Sequence, residues 1–114
     1  MSTVSKGRRA EVATADYLVR HGYQILNQNW RTRYCEIDIV ARKNSVIHFV
    51  EVKYRATNNQ GAGLDYITPA KLNRMIFAAQ VWTKQHGWQG DYVLSTAAVS
   101  GPQFVVTAFI ESLV

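Results

Sequence analysis

The sequence predicts a mixed α/β (α+β) layer fold in a single domain, residues 1–114. Three observations carry that expectation. Two stretches space their apolar residues with the 3.6 period of a helix, one near the start and one past the middle. Between them, Cys35–Arg42 alternates with period two, and Val46–Tyr54 is a long β-branched run. Two further apolar runs close the chain. The resulting order, α-β-β-β-α-β-β, needs helices packed on a sheet to bury its apolar faces. A chain of 114 residues with 47% apolar and 18% charged residues is globular in composition, which excludes disordered and fibrous classes.

The first helix is expected over about Lys6–His21, capped by Ser5 and stopped by Gly22. Its polar arc is Arg9, Asp16 and Arg20. Val12, Ala15, Leu18 and Val19, extended by Ala10, Ala13 and Tyr17, form the apolar side. Glu11 falls on that apolar side, where an acid needs a partner or a cleft to face. A first strand follows at Tyr23–Trp30. The next two runs form a hairpin turned at Asn44-Ser45, since Asn tolerates the positive φ of such turns. Arg55–Tyr66 is a polar loop of a length that is usually functional or mobile. The second helix starts with Thr68 as N-cap and Pro69 at its first position, is stapled by Ile67 on Leu72, and ends at Gly87. Its stripe is Leu72, Met75, Ile76, Ala79 and Trp82. Tyr92–Val99 and Gln103–Ile110 are the closing strands.

Alternation places Glu36, Asp38, Val40 and Arg42 on one face of their strand, and Ile47, Phe49, Glu51 and Lys53 on one face of the next. A turn centred on Asn44-Ser45 sets Asp38 opposite Glu51 and Glu36 opposite Lys53. A turn centred on Lys43-Asn44 sets Glu36 opposite Glu51, with Asp38 diagonal. Both registers keep the charges on one face. Facing carboxylates repel, and a divalent cation removes the conflict. Asp38 and Glu51 are therefore candidate ligands for Mg²⁺, with the Val52 carbonyl as a third oxygen. Lys53 is placed to orient or deprotonate a water aimed at phosphorus, and Glu11 to complete or tune the site. Taken alone, Glu51-x-Lys53 or Glu36-Ile37-Asp38 is a common solvated strand face. Their conjunction is what points to a site, since three of only eight acids share one hairpin face.

At these residues the chain resembles a known family. Gly7-Arg8-Arg9-Ala10-Glu11 with Ala15 and Tyr17-Leu18, Gly22-Tyr23 with Ile25-Leu26 and Asn29, Glu36-Ile37-Asp38-Ile39-Val40, and Phe49-Val50-Glu51-Val52-Lys53-x-Arg55 resemble the YraN family. The resemblance reaches the second helix through Ile67, Lys71 and Ala79. That family is similar to the PD-(D/E)XK nuclease superfamily, and within it to archaeal-type Holliday junction resolvases. The resemblance implies a restriction-endonuclease-like αβββαβ core, three layers α/β/α around a central mixed sheet, with Glu11, Asp38, Glu51 and Lys53 as its catalytic set. It implies Mg²⁺- or Mn²⁺-dependent hydrolysis of DNA phosphodiesters, branched or junction DNA included, and a homodimer to match a two-fold junction. Cys35 stands where the family has Gly. Asp91-Tyr92-Val93-Leu94-Ser95 stands where the family places an Arg-Phe-Asp block.

The charge balance agrees with a polyanionic partner: Lys plus Arg is 13 against 8 Asp plus Glu, a net +5. Arg31, Arg33, Arg42, Lys43, Lys53 and Arg55 cluster around the hairpin in sequence, while on the second helix Arg74 faces away from the apolar stripe and Lys71 sits on its border. Interleaved with Trp30, Tyr34 and Tyr54, they read as a phosphate-gripping rim with stacking rings. His48 alternates away from Glu51 and reads as a core or second-face histidine. Cys35 is expected on the face opposite Asp38, packed rather than reactive. The single Cys excludes an intrachain disulfide and suits a reducing, cytoplasmic setting. Met1–Ala15 lacks the apolar stretch of a secretory signal, and no apolar run approaches the ~20 residues that span a bilayer. Gly61-Ala62-Gly63 lacks the Lys-Ser/Thr of a nucleotide loop. The competing reading is a non-catalytic nucleic-acid-binding or partner-binding module with the same fold.

Overall fold

A computed structural model gives the fold over residues 5–56 and 67–111. The elements are α1 (Lys6–Arg20), β1 (Gln24–Arg31), β2 (Glu36–Lys43), β3 (Val46–Arg55), α2 (Pro69–His86), β4 (Asp91–Ser100) and β5 (Val105–Ile110). The expected order holds, and local chemistry fixes most boundaries. The Ser5 hydroxyl accepts the Arg8 N–H at 3.1 Å, and the Thr68 hydroxyl accepts the Lys71 N–H at 3.1 Å. Gly87 closes α2 in the left-handed region at φ 63°.

The five strands lie in the order β1-β2-β3-β4-β5. All neighbours are antiparallel except β3 and β4, which run parallel with α2 as the crossover between them. Asn44 sits at φ 56°, and Lys43 pairs with Val46, so the turn is centred on Asn44-Ser45. Of the two registers open from sequence, the structure takes the first, running from Lys43↔Val46 to Ile39↔Val50.

Each face of the sheet carries one helix and one apolar cluster. On the α2 side, Val40, Ile47, Phe49 and Leu94 pack with Met75, Ala78, Ala79 and Trp82. On the α1 side, Ile39, Ala41, Val50 and Ala97 pack with Ala15, Leu18 and Tyr23. The sandwich is therefore three layers, α/β/α. His48 is buried on the α1 side as expected, its ring edge-on to Tyr23 at 5.0 Å. The Tyr23 hydroxyl donates to Glu111 just past β5, a tie across the chain's length that local patterning does not reveal.

Several expectations need correction. The buried face of α1 is Ala10, Thr14, Ala15 and Leu18, while Val12 and Val19 are 47% and 57% exposed. Thr14 is buried because its hydroxyl bonds the Ala10 carbonyl at 2.9 Å, which satisfies the polar atom and turns the face towards it. Along α2, Ala78 joins the buried stripe, and Leu72 and Ile76 are only half-buried. The last strand starts at Val105 rather than Gln103, after Phe104 at φ 55°. Cys35 precedes β2 instead of lying in it. Most of the polar loop expected at Arg55–Tyr66 lies outside the described residues.

Phe49 anchors the α2 side. It is 1% exposed and meets Trp82 and Tyr92 edge-on at 5.5 and 5.3 Å. Phe49→Ala should lower unfolding free energy by about 3–5 kcal/mol in urea titration. A loss under ~1 kcal/mol would show that this layer does not hold the fold.

Candidate active site

The β2–β3 ladder stops at Ile39↔Val50. In that register Val52 faces position 37, and a continued ladder would pair the two. Instead the Asp38 Oδ2 accepts the Val52 N–H at 2.8 Å. The strands part here, and the gap opens as a cleft of about 660 Å³ towards α2. Residues 31–36, Asp38 and Glu51 line one side, and Lys71, Asn73, Arg74, Met75 and Phe77 the other. A residue's N–H and C=O point to the same edge of a strand. The Val52 carbonyl therefore also faces the parted strand.

Asp38 and Glu51 line this gap together, and the Glu51 charge bears on Asp38. The Asp38 carboxyl is pushed up to about 7, first by burial and then by the Glu51 charge, while the Val52 N–H pulls the other way. Glu11 reaches the same field from α1. Burial raises its carboxyl, Arg8 opposes, and Glu36 and Glu51 add to the rise. Lys53 is half-buried two residues beyond Glu51, and burial, then Lys71 and Arg55, draw its ammonium down while Glu51 opposes. Glu51 itself is held by Lys71, with Nζ 2.7 Å from its carboxylate. Its backbone oxygen accepts the Thr96 hydroxyl at 3.1 Å, which fixes the strand at that point.

The residues expected around the site divide into two groups. Arg31, Arg33, Lys71 and Arg74 share the cleft with the carboxylates. Arg42 and Lys43 do not belong to this rim. They stand at the hairpin turn, four and five residues along β2 from Asp38, so Arg42 is about 13 Å away by strand rise. There Arg42 donates to the Asn44 carbonyl at 3.0 Å and lies over the Trp88 ring at 5.0 Å, and Lys43 lies over Tyr23 at 4.9 Å. Arg55 ends β3 beyond Lys53, half-buried. Of the three expected rings, Trp30 packs against the α2-side core and Tyr54 stacks on Phe104 at 4.8 Å. Only Tyr34 is open, 78% exposed in the cleft. Cys35 also lines the cleft with Asp38, not the opposite face. The turn from Thr32 to Cys35 redirects it, and it is packed as expected.

Thr32, Asn73 and Phe77 are cleft residues that the sequence pattern missed, Phe77 the one with an exposed ring. The signal for Phe77 was an aromatic ring outside the α2 stripe. Among the described residues, no three His, Cys, Asp or Glu side chains converge into a ready-made metal cage. Two carboxylates in one cleft, one of them pushed up by burial and then by the other's charge, nevertheless fit a hard divalent cation. Mg²⁺ typically takes one or two carboxylates plus waters and phosphate oxygens.

A mixed five-stranded sheet between two helices, with an aspartate and a Glu-x-Lys at its parted central strands, is a restriction-endonuclease-like α+β fold. The chain belongs to the uncharacterised protein family UPF0102, whose model matches residues 10–104, and this is the family of the YraN resemblance. A UPF0102 protein of Chlorobium chlorochromatii (strain CaD3) is 44% identical over 90 residues, covering 79% of this chain and 70% of the relative. A UPF0102 protein of Sulfurihydrogenibium sp. (strain YO3AOP1) is 38% identical over 104 residues, 90% of each. One from Rhodopseudomonas palustris (strain BisB18) is 42% identical over 111 residues, 93% of this chain and 81% of the relative. Among the described residues no helix is long and apolar enough to cross a membrane.

The raised Asp38 carboxyl has a consequence for stability. Its ordinary value is 3.8 and its folded value about 7, so the folded state holds the proton more tightly. The stabilisation is therefore full below about pH 4 and lost as pH rises through 7. In EDTA, Asp38→Asn should melt about 5 °C or more above wild type at pH 8 and nearly level with it at pH 4. A variant less stable than wild type at pH 8 would show that Asp38 is not under this stress.

Proposed function

We propose that this chain is a Mg²⁺- or Mn²⁺-dependent DNA endonuclease that hydrolyses phosphodiesters, those of branched or junction DNA included. The observation that carries the reading is the placement of Asp38, held by the Val52 N–H, and Glu51 together in a cleft lined by Arg31, Arg33, Lys71 and Arg74. Repelling carboxylates beside a phosphate-attracting surface serve no purpose in a pure binder, since they repel the ligand too.

Asp38, Glu51 and the Val52 carbonyl would hold the cation, which when bound supplies Lewis-acid polarisation of a phosphoryl oxygen. The Val52 N–H fixes the Asp38 carboxylate in one rotamer, so that ligand is set before DNA arrives. Lys53, its ammonium drawn down by burial, is suited to take a proton from an attacking water and to offset charge at phosphorus. Lys71 and Arg74 on one wall and Arg31 and Arg33 on the other grip flanking phosphates. Arg55 extends the basic path beyond Lys53. Glu11 tunes the field from the opposite helix. A four-way junction has two-fold symmetry, so junction cleavage calls for a homodimer. A lone cysteine, which can form no intrachain disulfide, suits a cytoplasmic setting for this activity.

The Glu51–Lys71 ion pair favours a second reading, since it already neutralises one of the two ligands. On that reading the chain is a nucleic-acid-binding or partner-binding module with no cleavage. Cleavage of labelled single-stranded, duplex, flap and four-way-junction DNA separates the two. Wild type should cut with Mg²⁺ or Mn²⁺. Asp38→Asn should fall below detection with DNA binding retained, and Lys53→Ala should lose about 100-fold or more. Full activity in Asp38→Asn would overturn the site. Metal-independent, salt-sensitive binding without cleavage would establish the module.

A further inference from the structure

The two walls of the cleft repeat one composition. On α2, Lys71, Arg74 and Phe77 follow at i, i+3 and i+6, so neighbours along the helix surface are cation, cation, ring. On the facing loop, Arg31 and Arg33 precede Tyr34. Phe77 is 48% and Tyr34 78% exposed, and both line the same cleft, so two open ring faces share one site. Tyr34 is also held in place. The Thr32 hydroxyl accepts the N–H groups of Tyr34 and Cys35 at 3.1 and 3.2 Å, and the Thr32 N–H bonds the Cys35 carbonyl at 2.8 Å. The Arg33 guanidinium lies over the ring at 5.7 Å.

Cations alone grip any phosphate backbone, duplex or single-stranded, because every strand carries the same charge. A ring adds affinity only where a base offers an open face, and in a duplex both faces are already stacked. We propose that Tyr34 and Phe77 are a base-stacking pair, and that the cleft takes DNA whose nucleotides next to the bound phosphate are unpaired. The inference rests on the nucleic-acid reading of the cleft and names its substrate class: single-stranded tails, flaps and the open strands at a branch point. Tyr34 and Phe77 act on the choice of substrate, and the reacting phosphate is left to the carboxylates and Lys53.

Binding without divalent metal tests this apart from catalysis. The probe is a 2-aminopurine-labelled single-stranded oligonucleotide and its duplex in EDTA, against wild type, Tyr34→Ala, Phe77→Ala and Tyr34→Phe. Both rings are exposed, so the alanine variants should fold, and circular dichroism checks that they do. Each alanine variant should lose about ten-fold in single-strand affinity. It should also lose the 2-aminopurine quench, change duplex affinity less than about two-fold and keep the wild-type salt slope. Tyr34→Phe should bind like wild type. Unchanged single-strand binding, or equal losses on single strand and duplex, would overturn the proposal. So would an effect confined to sedimentation, which would make the rings a protein contact instead. Wild type that binds in this ring-dependent way but cuts nothing with metal would refute the nuclease reading and leave this one standing.

Discussion

The site depends on one substituted hydrogen bond. Between Lys43↔Val46 and Ile39↔Val50 the hairpin is an ordinary antiparallel ladder, and past that point the Asp38 side chain takes the Val52 N–H that β2's backbone would otherwise hold. A strand N–H this far inside a sheet cannot go unpaired without cost, so the carboxylate is fixed as firmly as a ladder bond. The same substitution lets the strands part. The cleft opens at that parting, and Lys71 from α2 meets Glu51 there.

The electrostatics are consistent with this opening. Four acids, Glu11, Glu36, Asp38 and Glu51, share one field, and the fold answers with nearby cations rather than by dispersing them. Lys71 meets Glu51 at 2.7 Å, and Arg31 meets Glu36 at 3.8 Å with both side chains largely in water. The exposed pair contributes little to stability. The Lys71 pair is better sheltered and ties α2 to β3 at the mouth of the cleft. What remains unanswered in the fold's own charge balance is Asp38.

Where chemistry is local, the sequence was legible. Ser5, Asn44, Thr68-Pro69 and Gly87 each mark a boundary through a hydrogen bond or a backbone angle that only a few residue types supply. Period-two alternation placed Asp38 and Glu51 on one face before any register was known, because both candidate registers preserve that face. Features set by tertiary placement were hidden. Arg42 and Lys43 are near Asp38 in sequence, but β2 carries them to the far end of the hairpin. Helical spacing made Val12 and Val19 look buried, whereas the sheet lies against Thr14. Which acid Lys71 would meet, and that Tyr23 would reach Glu111, depend on sheet order, which no single segment records.

If Asp38 and Glu51 hold a hard cation as proposed, thermal stability at pH 8 must depend on Mn²⁺ concentration. A ligand bound only by the folded state must raise Tm progressively with its concentration. Wild type should show that rise and Glu51→Gln should not. A flat wild-type curve, or the same rise in Glu51→Gln, would contradict the account.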